Sequence, residues 1–235
     1  MAKKEGKFKR VKENSFFARK EQSEFIKRVY DETPAVIREL FLRENEILNQ
    51  ALSSCTRILE VGCGFGRALK TVSRHACYTG VDLGLNCVLD AKMNHPERHW
   101  VCADGTRLPF RDAEFDAVFL IQNTLGNMEG IETKVIGEAN RVAVPDGMII
   151  LSVYSEDSFE IRRLWYDRLV DIGIFGKVWL DSSNPRIARS DTGWSSRCFD
   201  TEELKRYFQG LHCSLEINKL DSFLYFCIAR MQHKT

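Results

Sequence analysis

The residues best suited to do chemistry lie in the run Glu60-Val61-Gly62-Cys63-Gly64-Phe65-Gly66, an apolar strand that ends in an acid and then turns on three glycines. Glycine belongs there because it leaves room for a ligand against the backbone and tolerates positive φ. Dinucleotide binders space their glycines G-x-G-x-x-G and seat a pyrophosphate on the following helix. Here the third glycine comes one residue early, and a carboxylate at Glu60 would repel a pyrophosphate. Such an acid suits a ligand that carries an ammonium group.

Two more acids extend the pattern. Asp82 closes the next apolar segment, 22 residues after Glu60, where a carboxylate can accept both hydroxyls of a ribose. Asp104 follows the third such segment, in Cys102-Ala103-Asp104-Gly105-Thr106-Arg107-Leu108-Pro109-Phe110. Any one of these acids could simply cap a helix or turn. Three of them at three successive strand ends point to a nucleoside ligand with an amino-acid tail.

In these residues the sequence resembles the class I S-adenosylmethionine (SAM)-dependent methyltransferases, over about Ser54–Val153 with the terminal hairpin also fitting. The resemblance implies SAM as cofactor and S-adenosylhomocysteine as product. It places Glu60, Gly62 and Gly64 against the amino-acid moiety, Asp82 on the ribose and Asp104 at the adenine amino group. Cys63, Leu83, Gly105 and Gln122 complete the expected cofactor site. Tyr30 resembles an N-terminal tyrosine that covers the cofactor in many small-molecule members, and reads equally well as a core-facing helix residue. The segment Leu120–Asn127 falls where the open ends of the sheet form a ligand crevice, and it lacks the N-P-P-Y-type tetrad of enzymes that methylate amino groups of nucleic-acid bases. Asn123, Tyr154, Trp194 and Arg197 are the candidate acceptor-binding residues. None of the five histidines falls in a substrate-side loop, which favours an amine acceptor that needs no general base.

Hydrophobic periodicity supplies the elements that would position these groups. Apolar residues recur at helical spacing from Ser15 to Leu52, and Thr33-Pro34 reads as an N-cap with proline at the first helical position, giving two helices. Strands are expected at Arg57–Val61, Tyr78–Asp82, His99–Ala103, Phe115–Ile121 and Met148–Val153, with helices at Arg67–Arg74, Leu85–Met93 and Ile131–Val142 and a turn at Pro145-Asp146-Gly147. Alternating strands and helices imply a Rossmann-like α/β sheet, mostly parallel, with helices on both faces. Residues 155–198 interrupt the rhythm as a lid insertion, with a helix at Phe159–Val170, short strands near Lys177–Leu180 and Arg186–Arg189, and Trp165 and Trp179 as satellite core. A helix capped by Asp200 or Thr201 and two strands, Ser214–Lys219 and Phe223–Ala229, complete seven strands. The three-residue link between these two permits only a hairpin, so the last strand runs antiparallel. The domain reading is a basic tail (1–14) and a single domain (15–235) divided into N-terminal helices (15–53), a SAM-binding core (54–153), the lid (155–198) and a final helix and hairpin (199–230).

Of the 235 residues, 44% are hydrophobic and 29% charged, an ordinary globular balance. Eight cysteines form no C-x-x-C pair and several sit in apolar runs, as expected of buried free thiols with no metal site. There is neither a signal-peptide core nor an apolar run of roughly 20 residues, so a cytoplasmic monomer or homodimer without a membrane partner is expected. The first 20 residues carry a local charge of +6 in a chain of net charge +1. That leaves two alternatives: a tRNA or protein methyltransferase gripping its substrate with this tail, and a SAM-binding protein without catalysis. A nucleic acid is the less favoured partner. Deletion of residues 1–12 is expected to leave SAM affinity unchanged in calorimetry. If the tail grips phosphate, the same deletion lowers RNA binding and flattens its salt dependence.

Overall fold

The computed structural model describes residues 16, 22–70, 72 and 76–232. The expected basic tail lies outside them. Two helices come first, α1 (Gln22–Asp31) and α2 (Ala35–Ala51). The break between them is made differently from the sequence expectation. Pro34 itself is the N-cap of α2, and the Thr33 hydroxyl donates back to the Tyr30 carbonyl at 2.7 Å, capping α1. With its fixed φ of −57° and no N–H to lose, proline serves at that position without a side-chain cap.

The core then alternates β1 (Arg57–Val61), β2 (Cys77–Asp82), α3 (Leu85–Asn94), β3 (His99–Cys102), β4 (Phe115–Leu120), α4 (Glu132–Val142) and β5 (Ala143–Tyr154). Of the helix expected at Arg67–Arg74, Arg67–Lys70 forms a 3-10 turn, and residues 71, 73 and 74 lie outside the described residues. Pro145-Asp146-Gly147 does not separate helix from strand. It is an irregularity inside β5, with Asp146 at φ 65° and a register shift against β4 between Phe115 and Ala117. The lid contains α5 (Phe159–Asp171) and a three-stranded antiparallel sheet of β6 (Val178–Leu180), β7 (Ile187–Ser190) and β8 (Ser195–Arg197). The chain ends in α6 (Thr201–Tyr207), β9 (Cys213–Leu220) and β10 (Leu224–Met231). Asp200 caps α6 by accepting the Glu203 N–H at 2.7 Å.

The main sheet has seven strands in the order β3-β2-β1-β4-β5-β10-β9. β10 alone runs opposite to the other six strands, pairing Leu224 with Tyr154 and Met231 with Cys213. It is nearly all buried, whereas β9 alternates half-buried and exposed residues and buries only Leu220, as an edge strand does. Two apolar cores cover the sheet. Ile58, Phe119, Ile150 and Phe226 pack under α2 and α5. Leu59, Val118, Leu151 and Tyr225 pack under α4 and α6. Five of the eight thiols are buried, while Cys77 and Cys102 are exposed and Cys213 is half-buried. Trp165 joins the core, but Trp179 is exposed because β6 is the edge strand of the lid sheet. No helix among the described residues is long and apolar enough to cross a membrane.

Both ends of the lid are fixed at one point. Ser155 forms an isolated bridge with Phe199, and the Phe199 N–H donates to the Tyr154 carbonyl at 2.9 Å. The lid therefore rises from the C-terminal end of β5, two strands along the sheet from the glycine turn. In that turn Gly62 has φ 80°, and a Cβ there would stand 2.2 Å from the Thr124 Cγ2. Gly62→Ala is expected to lower the unfolding free energy by about 2–4 kcal/mol, combining left-handed strain with overpacking. Urea denaturation reads this, and a loss well under about 1 kcal/mol would show that the turn relaxes freely.

Candidate functional site

A cleft of about 330 Å³ opens at the C-terminal ends of β1, β2 and β4 and continues under the lid. Its near wall is the glycine turn. The Gly62 and Cys63 N–H groups both donate to the Val81 carbonyl, at 2.7 and 3.0 Å, which ties the turn to β2. Asp82 then fixes its shape: one carboxylate oxygen accepts the Gly64 N–H and the other the Gly84 N–H, each at 2.8 Å. Each oxygen keeps a second lone pair, so the same carboxylate can still receive two hydroxyls. Burial pushes the Asp82 carboxyl up, and the N–H groups of Gly84 and Gly64 pull it back. A Cβ on Gly64, which has φ 53°, would meet nothing within 4 Å. The open space above it is the cradle. By contrast, a Cβ on Gly66 would strike the Trp100 ring at 2.7 Å, so the third glycine serves packing.

The wall is acidic and largely dry. Glu60 is buried, receives the Tyr78 hydroxyl, and is pushed up to about 7 by burial, with Tyr78 and Arg67 working against the rise. Asp104 is half-buried and accepts the Thr106 N–H at 2.8 Å, which folds its loop toward the cleft beside Leu83 and Gly105. Cys63 also lines the cleft, but its thiol is buried against Gly80 and burial raises it well above its ordinary range. It behaves as a small packing residue and not as a reactive thiolate.

The floor is built on Gln122 and Asn123, both at positive φ, 52° and 62°. The Gln122 N–H donates to Ser152 Oγ at 2.6 Å and to Glu44 Oε1 at 3.1 Å, and the Ser152 hydroxyl also bonds Glu44. These bonds hold the backbone while the side-chain amide, buried and lining the cleft, has no partner for either polar atom. An orphaned buried amide is costly unless something else fills its bonds. The Asn123 amide is already engaged. It donates to Ser196 Oγ at 2.8 Å and accepts the Tyr154 N–H at 3.0 Å, locking the lid to the floor.

The mouth and far end are aromatic. Tyr30 lies 6.3 Å from Phe65 and 6.0 Å from Trp165, with the Arg67 guanidinium 4.1 Å over its ring. Tyr30 packs on α2 through Phe41 and also lines the cleft. Tyr154, Tyr166, Phe175, Trp194 and Ser196 line the far end. Arg197 is not among the lining residues. Strand alternation in β8 turns Ser196 inward and sends Arg197 to the other side, where Glu132 at 2.7 Å and Glu203 hold it.

The sequence reading missed Glu44 and Arg67. Glu44 carried a signal. Ile37, Leu40, Phe41 and Leu48 make the buried stripe of α2, and Glu44 occupies the fourth-residue step between Leu40 and Leu48, where an apolar side chain belongs.

Residues 59–151 match a family model described as a methyltransferase domain. The matched segment makes up less than half of the chain. It spans β1 to β5 and so contributes Glu60, the glycine turn, Asp82, Asp104 and Gln122. The chain is 31% identical over 125 residues to a malonyl-[acyl-carrier protein] O-methyltransferase of Marinomonas sp., a match covering 49% of this chain and 44% of that protein. It is 27% identical over 155 residues to a demethylmenaquinone methyltransferase of Streptomyces avermitilis, covering 64% and 66%. The matched part thus spans less than two thirds of either relative. The fold resembles that of the 1,6-didemethyltoxoflavin-N1-methyltransferase of Burkholderia thailandensis, solved with 1,6-didemethyltoxoflavin and S-adenosylhomocysteine bound, at a TM-score of 0.62 and 17% identity over 90% of this chain and 87% of that one.

Glu44, like Glu60, is pushed up to about 7 by burial, against an ordinary value of 4.5. A folded-state value above the unfolded one means that the contribution to stability is full below about pH 4.5 and is lost as pH rises through about 7. Unfolding free energy is therefore expected to fall between about pH 5 and about pH 8, and Glu44→Gln, which stays neutral, to flatten part of that fall. Urea denaturation across the range tests this; an unchanged slope in the variant means Glu44 does not titrate there.

Proposed function

We propose that the cleft binds SAM and that the protein transfers its methyl group to a small molecule, with an amine nitrogen as the favoured acceptor atom and S-adenosylhomocysteine as product. The observation that carries this reading is the buried, unpaired Gln122 amide, which faces the same cleft as the Glu60 carboxyl and the open space over Gly64. An amino-acid tail offers what these groups lack: an ammonium for Glu60 and a carboxylate or amine for Gln122. Asp82 has lone pairs for two ribose hydroxyls, and Leu83, Asp104 and Gly105 would flank a base. A dinucleotide fits this wall poorly, because its pyrophosphate would face an acid. The relatives' names support a small acceptor.

When bound, SAM supplies a methyl group on a positively charged sulfur, activated toward in-line attack. The protein's part is then to align and to dry the site. Tyr30, Phe65 and Arg67 close the mouth, and the aromatic far end holds the acceptor away from water. Such positioning is worth on the order of 7–11 kcal/mol. No histidine among the described residues lines the cleft. The phenols of Tyr154 and Tyr166 are pushed up by burial and resist deprotonation. A neutral amine, which attacks without losing its proton first, suits these surroundings better than a hydroxyl.

Calorimetric titration with SAM, S-adenosylhomocysteine and NAD is expected to give binding of the first two alone. Asp82→Ala should weaken SAM by about tenfold or more through loss of charged hydrogen bonds. NAD binding without SAM binding refutes the cofactor, and unchanged SAM affinity in the variant refutes the ribose role of Asp82.

A further inference from the structure

Three of the arginines on α5 and its neighbourhood in sequence have very different surroundings. Arg163 pairs with Glu160 and Asp167, and Arg168 pairs with Glu32, all near solvent. Arg162 points the other way and is 1% exposed, yet no carboxylate pairs with it among the described residues. Its guanidinium lies 4.7 Å from the Tyr154 ring centre and 5.8 Å from that of Tyr166, and its Nη1 donates to the Tyr166 hydroxyl at 3.2 Å. Its Nε is buried and unpartnered. Ring faces offset part of the cost of removing a cation from water, but a buried charge is ordinarily matched by an opposite one.

Arg162 stands behind Tyr154 and Tyr166, the two tyrosines that line the far end of the cleft. The Asn123 amide donates to Ser196, and Arg162 donates to the Tyr166 oxygen at the same end of the cleft. With its oxygen accepting from Arg162, the Tyr166 hydroxyl keeps its own proton to donate. A hydroxyl polarised by an adjacent guanidinium is a strong donor to an anionic oxygen and a poor partner for a cation. The remaining lining of this end, Phe175, Trp194, Trp165 and Leu169, is apolar or aromatic.

We propose that the methyl acceptor is an anion: a small molecule with an apolar body and a carboxylate-type group, which the Tyr166 hydroxyl receives with the Arg162 charge behind it. This rests on reading the far end of the cleft as the acceptor site. The acceptor's negative charge completes the pairing that the protein leaves open at Arg162, and the apolar body fills the space beneath Trp194. The same arrangement discriminates against neutral isosteres, since these would leave the guanidinium uncompensated.

The test uses the full chain saturated with S-adenosylhomocysteine, whose binding is confirmed first. Benzoate, phenylacetate and indole-3-carboxylate are titrated against their primary amides by calorimetry. Carboxylates are expected to bind about tenfold or more tightly than the matching amides, the margin of a charge-assisted hydrogen bond. Arg162→Met and Tyr166→Phe are each expected to erase that preference while leaving S-adenosylhomocysteine affinity unchanged. Should Arg162→Met not fold, Tyr166→Phe alone decides. Carboxylates that bind no better than their amides, or a preference that survives Tyr166→Phe, overturn the proposal. Failure of S-adenosylhomocysteine to bind the unaltered protein is a different result and overturns the cofactor reading instead.

Discussion

The two hydrogen bonds from Gly64 and Gly84 to the Asp82 carboxylate are what the rest of the site depends on. They join the first strand-to-helix turn to the second, and so set the width of the cleft between them. Together with the Gly62 and Cys63 bonds to Val81 they order a turn of three positive-φ glycines, and glycine gives up more conformational freedom on ordering than any other residue. A carboxylate fits this role because it can brace the backbone through one set of lone pairs and offer the other set to a ligand. The scaffold and the binding surface share a single side chain.

A second consequence of this arrangement is electrostatic. Glu60, Asp82 and Glu44 lie within one small region, and burial raises all three carboxyls. Arg67 is the nearby cation that opposes the rise at Glu44 and Glu60, and its guanidinium is laid over the Tyr30 ring at the mouth. The near half of the cleft thus gathers buried carboxyls, and the far half stands in front of the Arg162 guanidinium. A cation and an anion brought into contact within it would each find the matching wall, which orders them head to tail before any reaction begins.

Much of this could be read from the sequence, because it rests on local spacing. The five parallel strands, a helix start at Asp200 or Thr201 and the antiparallel last strand all follow from periodicity or from a link too short for a crossover. The turn and its acids were legible for the same reason. What was not legible depends on which way a side chain faces after distant segments meet. Arg197 and Ser196 differ by one position in a three-residue strand, and alternation alone gives no hint of which is inward until the lid docks. Glu44 needed α2 to lie on the ends of β4 and β5 before its carboxyl could meet Gln122 and Ser152. Thr33 and Pro34 satisfied the usual signature for a helix start, yet the threonine was used one turn earlier.

β10 lies between β5 and β9, so the buried edge of β5 acquires its hydrogen-bonding partner only from one of the last segments of the sequence. During synthesis, strands β1 to β5 would emerge well before that partner. Met148–Tyr154 would then present an apolar strand edge, the kind of template on which chains associate. Lys219 sits in the short hairpin that follows, and the hairpin can close as one local unit and slot in as a finished piece. The sheet is therefore sealed late and all at once, and the quality-control burden of this protein falls on the interval between making β5 and making β10.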